Sequence, residues 1–277
     1  MLDSETINKI EEFVYTKPRS IQEIAELLQK NWRTADRYID EIQKNFGTIS
    51  TRVFRGGTRG ALKIIYWSSV EKVSSSIFQE RLEKEIFNCK KKEDFSAFDI
   101  FQYVPQKNRK SFVFDKEEEN ILDFKNILLG AKKQILFFSG NLSFINIENK
   151  EKDMYDIFEK LIKNKVNIKI LCRVDLAGIK NIEQLLSLNL KYGNNLIEIR
   201  HDSHPIRGFI IDGKFIRLKE VKEPTGKIKE LNNRKFIFYN ISEKSWAEWL
   251  SKIFWKKFSN SMDGNKRLEH LNQINLK

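Results

Sequence analysis

From Ser4 to Tyr15 apolar residues fall at Ile7, Ile10, Phe13 and Val14, the spacing of a helix with one buried face, and Pro18 closes the run. "SIQEIAELL" predicts a second helix. Ser20 and Glu23 have the spacing of a capping box, and Ile21, Ile24, Leu27 and Leu28 form the inward face. After a break at Gln29 to Asn31, "WRTADRYIDEIQKNFG" turns Ala35, Tyr38, Ile39 and Ile42 inward and stops at Gly47. The period then drops to that of strands: "TISTRVF" and "ALKIIYW", joined by "RGGTRG", read as a hairpin with a glycine-rich tip. Two short helices, a tight turn, a longer amphipathic helix and a hairpin predict a winged helix-turn-helix over residues 1–68.

Residues 69–115 read as a linker helix and connector. Val70, Val73, Ile77, Leu82 and Ile86 lie at roughly helical spacing before a "KKKED" charge cluster, and "FSAFDIFQYVPQKNRKSFVF" is aromatic-rich but aperiodic, a segment that partly packs. From about Lys116 helical and strand-like runs alternate. The expected strands are "ILFFSGN", "NIKILCRV", "NLIEIRH", a hairpin of "IRGFIID" and "KFIRLKE" turning at Asp212 and Gly213, and "RKFIFYN". Helices over "EEENILDFKNILLGAKKQ", "KDMYDIFEKLIKNK" and "IEQLLSL" separate the first of them, and "SEKSWAEWLSKIFWKKFSNSM" closes the chain. Strands with continuous apolar runs predict an α/β layered sheet, buried on both faces, over 116–277. No glycine-rich phosphate loop follows any strand, so mononucleotide and dinucleotide folds have little support.

Charge sharpens the picture of the first unit. The chain holds 50 Lys and Arg against 38 Asp and Glu, a net charge of +12, which attracts polyanions and makes nucleic acid the first candidate partner. Its placement is uneven. Lys30 to Trp67 carries eight basic residues and three acidic ones, whereas Glu5, Glu11, Glu12, Glu23 and Glu26 sit on the first two helices. Arg33, Thr34 and Arg37 open the third helix, where side chains reach base edges or phosphates, with Lys44 further along it and Arg52, Arg55 and Arg59 on the wing. These seven are the candidate DNA-binding residues; a basic face used for protein contacts is the rival reading.

Cys89 and Cys172 lack neighbours at metal-ligand spacing, so no metal or cofactor is expected, and two isolated thiols suit a reducing compartment. The polar, acidic N-terminus and the lack of a long apolar run predict a cytoplasmic protein without a membrane partner.

The stretch "HDSHPIRGFIIDGKFI" puts histidine, a basic residue and aspartate on a strand before a tight hairpin. This order resembles half of a phospholipase D-type domain, whose motif is His-x-Lys-x-x-x-x-Asp. The resemblance implies a nucleophilic histidine, a phosphate-holding lysine and an orienting aspartate. With the aspartate on Asp212, Pro205 stands at the nucleophile position and Arg207 at the lysine position, while His204 is one residue early. The family's Gly-Ser-x-Asn run is absent from "KFIFYNISEKSW". Arg207, with Arg173 at another strand end, is a candidate anion ligand, and an ion pair of either arginine with Asp175 is the competing role.

The whole arrangement, winged helix, linker helix, degenerate phospholipase D-like unit and the terminal helix "WAEWLSKIFWKKF", resembles TrmB-type transcription regulators. That implies a DNA-binding regulator, a homodimer, with the α/β unit used for dimerisation or sensing a small-molecule effector. Trp246, Trp249, Leu250, Ile253 and Phe254 line one side of that helix as core, and Trp255 and Phe258 extend the apolar surface towards a dimer interface. Two rivals stay open: a nuclease or phosphodiesterase using His204 with Arg207 and Asp212, and a non-specific DNA-binding adaptor in DNA maintenance or defence.

Overall fold

The computed structural model describes residues 2–46, 48–55, 61–67, 75–146, 154–224, 231 and 233–275, the side chains of 4, 55, 75–77, 274 and 275 excepted. The chain forms two compact units, one of Met1–Phe78 with Val113–Asp115 and Val221–Phe236, the other of Gln79–Phe112, Lys116–Glu220 and Ile237–Lys277.

In the first unit, α1 (Ser4–Thr16) starts at Asp3, whose carboxylate accepts from the Thr6 amide at 2.7 Å. The expected capping box opens α2 (Ile21–Leu28): Glu23 N–H donates to Ser20 Oγ at 3.2 Å, and Ser20 N–H to Glu23 Oε2 at 2.7 Å. Helix α3 (Trp32–Asn45) is capped by Asn31, and β2 (Ile49–Arg55) pairs antiparallel with β3 (Ala61–Trp67) from Ile49 opposite Trp67 to Arg55 opposite Ala61. The stop at Gly47 and most of the wing tip lie outside the described residues. A short strand, β1 (Arg19–Ser20), joins the other edge of β3, which makes the wing a three-stranded sheet; two residues are too few to leave a period in the sequence. Ile10, Ile24, Ala35, Ile39, Ile42, Ile49 and Ile65 meet in one core. Leu27 and Leu28 are only partly buried, Leu28 packed against the same core, while Ala25 is buried beside Ile24.

The second unit is built on a mixed sheet of β4 (Arg109–Phe114), β5 (Gln134–Phe138), β6 (Asn167–Cys172), β7 (Ile197–His201), β8 (Gly208–Ile211), β9 (Phe215–Lys222), β10 (Lys235–Ile241) and β11 (Met262–Asp263), in the order β11-β7-β6-β5-β8-β9-β10-β4. β5, β6 and β7 are parallel, and β8 runs antiparallel to both β5 and β9. Alternate residues of β5 feed two cores. Ile135 and Phe137 face α6 (Ile121–Leu129), α7 (Met154–Lys163) and α8 (Ile179–Tyr192), whereas Phe138 meets Phe254 of α9 (Lys244–Ser259), ring centroids 5.2 Å apart. The result is the α/β sandwich expected from the apolar strand runs.

Segments that the pattern left irregular also carry structure. The linker stripe is helical over α4 (Ser75–Asn88), with Leu82 and Ile86 buried; Val70 and Val73 lie outside the described residues. The aperiodic 95–114 stretch contains the buried helix α5 (Ala97–Phe101) and the strand β4. Arg109 accounts for part of this, donating from Nη1 to the carbonyls of Phe101 and Gln102 at 2.6 Å each, a tertiary hydrogen-bond pattern without periodic signature. A last helix, α10 (Gly264–Asn275), buries Leu268 and Leu271 against the α6–α8 side of the sheet. Phe258 differs from its expected place on an exposed interface. It is buried, stacked on Phe254 at 5.2 Å with the Arg200 guanidinium 4.9 Å above it, while Trp255 remains partly exposed.

Gly208 opens β8 at φ +153°, and a Cβ there would lie 2.1 Å from the Arg217 carbonyl oxygen on β9. Gly208→Ala is expected to cost about 2–4 kcal/mol through backbone strain and overpacking, read as a lowered urea midpoint with an unchanged slope.

Candidate functional site

α3 separates its two faces cleanly. Ala35, Ile39 and Ile42 are buried, whereas Arg33, Arg37, Asp40 and Lys44 are exposed at steps of four, three and four residues, a single outward stripe. Among the described residues neither Arg33 nor Arg37 has a carboxylate partner. Each guanidinium lies near the ring of the following or preceding aromatic residue, Arg33 5.7 Å from Trp32 and Arg37 5.4 Å from Tyr38. Lys44 stands exposed in the last turn. The stripe combines two forked donors and an ammonium, the groups that bind phosphate and the guanine edge, with one carboxylate, Asp40, among them.

Thr34 has a more local job. Its amide and its hydroxyl both donate to Asn31 Oδ1, at 2.9 and 3.2 Å, so it completes the cap that starts α3. Arg52 lies on the wing, 5.5 Å from the Phe54 ring. Arg55 ends β2, with its side chain outside the described residues, and Arg59 lies outside them altogether. Lys63, counted in the sequence only as part of the basic run, belongs to this surface differently: its ammonium is held by Asp36 and Asp40 of α3. The four-residue spacing of those aspartates was visible, but not their partner.

In the second unit the aspartate of the degenerate motif separates from the arginine. Arg207 precedes β8 and Asp212 follows it, so the strand stands between them. The Asp212 carboxylate accepts three backbone N–H groups at the start of β5, from Lys132 at 3.0 Å and from Lys133 and Gln134 at 2.8 Å each. Burial acts to raise its pKa, but those amides outweigh it and hold it below the usual carboxylate value. Asp212 pins a hairpin turn and orients no histidine.

His204 is fully enclosed, its ring edge-on to Phe138 at 5.3 Å and its Nε2 2.9 Å from the Leu171 carbonyl oxygen. A carbonyl only accepts, so Nε2 carries the proton and the lone pair is left on Nδ1, which is buried and without a hydrogen-bond partner. Burial first, and then the charge of Arg207, push its pKa down to about 3. The expectation that His204 sits on a strand needs correction: the residue lies in the loop before β8, where its own carbonyl accepts from Arg207 Nη1 at 2.9 Å.

The two candidate anion ligands also diverge. Arg173 Nε is 2.5 Å from Asp175 Oδ2, the internal ion pair named as the competing role. Arg207 donates instead to the carbonyls of His204 and Ile206, and its guanidinium lies flat against Gly140, where a Cβ would come within 3.2 Å of Nε. Burial, with Arg173 adding to it, lowers the Arg207 pKa. Ser139 and Asn141 serve the turn after β5: Ser139 Oγ accepts from the Leu142 amide and Asn141 Oδ1 from the Ser143 amide, both at 3.3 Å.

No family model matches the sequence, and no curated protein matches it. Among solved structures, the chain is similar to Nuc, a phospholipase D family member from Salmonella typhimurium, at 15% identity over 56% of this chain and 97% of that one, with a TM-score of 0.41. Similarity to TrmBL2, an archaeal chromatin protein with a described mode of DNA binding, extends over 94% of both chains at 15% identity and a TM-score of 0.40. NucT from Helicobacter pylori matches over 56% of this chain and 98% of its own at 11% identity and a TM-score of 0.38. No described helix is long and apolar enough to cross a membrane.

His204 leaves a mark on the acid limb of stability. Its ordinary pKa of 6.5 applies to the unfolded chain and about 3 to the folded one, so between those values the unfolded state binds the extra proton and stability falls as pH falls. The expected loss is up to about 1.4 kcal/mol per pH unit. His204→Gln, which keeps a donor for the Leu171 carbonyl but does not titrate, is expected to show a smaller difference between urea midpoints at pH 7.5 and pH 4.5 than the native protein.

Proposed function

We propose that the chain is a sequence-specific, duplex-DNA-binding transcriptional regulator that acts as a homodimer, with a non-catalytic second unit used for dimerisation or for sensing an effector. The observation that carries the reading is the outward stripe of α3. Arg33 and Arg37 stand exposed, without carboxylate partners among the described residues, on the first two turns of a helix whose opposite face is fixed in a core. A rigid helix that presents forked donors near its N-terminus meets the geometric demand of major-groove reading, and the β2–β3 wing lies on the same unit to grip flanking backbone. Two such helices in a dimer would read half-sites about one helical turn apart or a multiple of it.

The use of the second unit without catalysis draws support from the same geometry that separates the motif residues. His204 Nε2 is committed to a main-chain carbonyl, and Asp212 to three amides at the far end of β8. Arg207, partly buried and anchored by carbonyls rather than by a carboxylate, is the residue at which we place any anionic effector.

Genome-wide recovery of bound DNA, followed by footprinting on the recovered fragments, tests the reading. A regulator protects a few defined sites, whereas even coating of all fragments would favour the adaptor reading. On a protected site, affinity is expected to fall linearly with salt on logarithmic axes. Arg33→Glu with Arg37→Glu is expected to weaken binding by roughly a hundredfold or more at moderate salt while leaving the unfolding midpoint unchanged; native affinity in that double variant would overturn the assignment of α3.

A further inference from the structure

The helix that carries the arginine stripe also carries two carboxylates one turn apart, Asp36 and Asp40. Left to themselves they would meet the phosphate-lined walls of a groove as like charges and oppose what Arg33 and Arg37 gain. Lys63 intervenes. It lies on β3 opposite Val53, and its ammonium is 2.5 Å from Asp36 Oδ1 and 3.0 Å from Asp40 Oδ1. Its side chain is only 18% exposed, against 32% and 54% for the two carboxylates, so the cation is the inner member of the cluster. Leu62 and Ile64 on either side of it are buried, which fixes the strand from which the ammonium projects.

Burial alone would lower the pKa of Lys63, but the hydrogen bonds and charges of Asp36 and Asp40 outweigh it and raise it, so the ammonium stays charged. Two of its three N–H groups are already taken by the carboxylates. A lysine so engaged is poorly placed to grip a phosphate. It is well placed to hold two carboxylates back and to tie the wing strand to α3.

We propose that Lys63 is a positioning residue for DNA recognition: it draws Asp36 and Asp40 towards the wing and offsets their charge, so that the nucleic acid meets the arginines of α3 with less opposition from the acids. The inference rests on the DNA-binding reading above and adds to it a residue that works through two others.

A double-mutant cycle on the full chain tests it, with a pool of random-sequence duplex DNA at low salt as the probe. Lys63→Met is introduced into the native background and into Asp36→Asn with Asp40→Asn, and thermal unfolding of each variant confirms that binding is measured on folded protein. In the native background Lys63→Met is expected to weaken binding roughly fivefold, by an amount that shrinks as salt is added. In the Asn background the same substitution is expected to change little, because no carboxylates remain to be held. A similar loss in both backgrounds would make Lys63 a direct phosphate ligand and overturn the inference, and so would the absence of a loss in either. If Lys63→Met does not fold, Lys63→Gln replaces it with the same two expectations. Failure of the unaltered protein to bind the pool would overturn the DNA reading itself, and this inference with it.

Discussion

The second unit depends on one strand that is apolar on both faces. Ile135, Leu136, Phe137 and Phe138 of β5 are all buried, so a strand with period two must find a cover on each side. One cover comes from α6, α7 and α8, the other from α9, and the parallel neighbours β6 and β7 follow from the helical crossovers. Burial of each large side chain contributes on the order of 1.5–3 kcal/mol. That is why the strand, rather than any polar contact, sets the layers.

The same constraint decides the fate of the motif that looks catalytic in sequence. β8 pairs with β5, so its two ends are held a strand's length apart, with Arg207 before it and Asp212 after it. Asp212 then serves the start of β5 by accepting three amides, and the chain entering β8 tucks His204 against Phe138 with its Nε2 on the Leu171 carbonyl. Asp212 and the Nε2 of His204 are thus satisfied by backbone, as buried polar groups require, while His204 Nδ1 is buried without a hydrogen-bond partner. A histidine, an arginine and an aspartate that sequence spacing brings within nine positions thus end in three separate structural tasks.

In the first unit the division of labour runs along α3. Its inward side, through Ala35, Ile39 and Ile42, locks the helix to α1, α2 and the wing strands, and rigidity there is what gives the outward stripe a defined orientation. Capping supports it at the entry: Asn31 accepts from the amide and the hydroxyl of Thr34, which helps begin the helix. Charge on the outward side is mixed, and the ion pairs of Lys63 with Asp36 and Asp40 offset part of its negative charge.

Much of this was legible in the linear pattern wherever a local rule operates. The capping box at Ser20 and Glu23, the amphipathic α3, the β2–β3 hairpin, the apolar strands β5 to β8 and the buried side of α9 all follow from spacing, because helix and strand geometry repeat over a few residues. The departure of the motif from the catalytic pattern, with Pro205 at the nucleophile position, was also legible. Tertiary structure alone decided the rest: the two-residue strand β1, the edge strand β4 held near Arg109, the docking of α10, the burial of Phe258, and which cation Asp36 and Asp40 would share. Each of these depends on a partner far away in sequence, and a short strand or a single ion pair leaves no period along the chain from which that partner could be read.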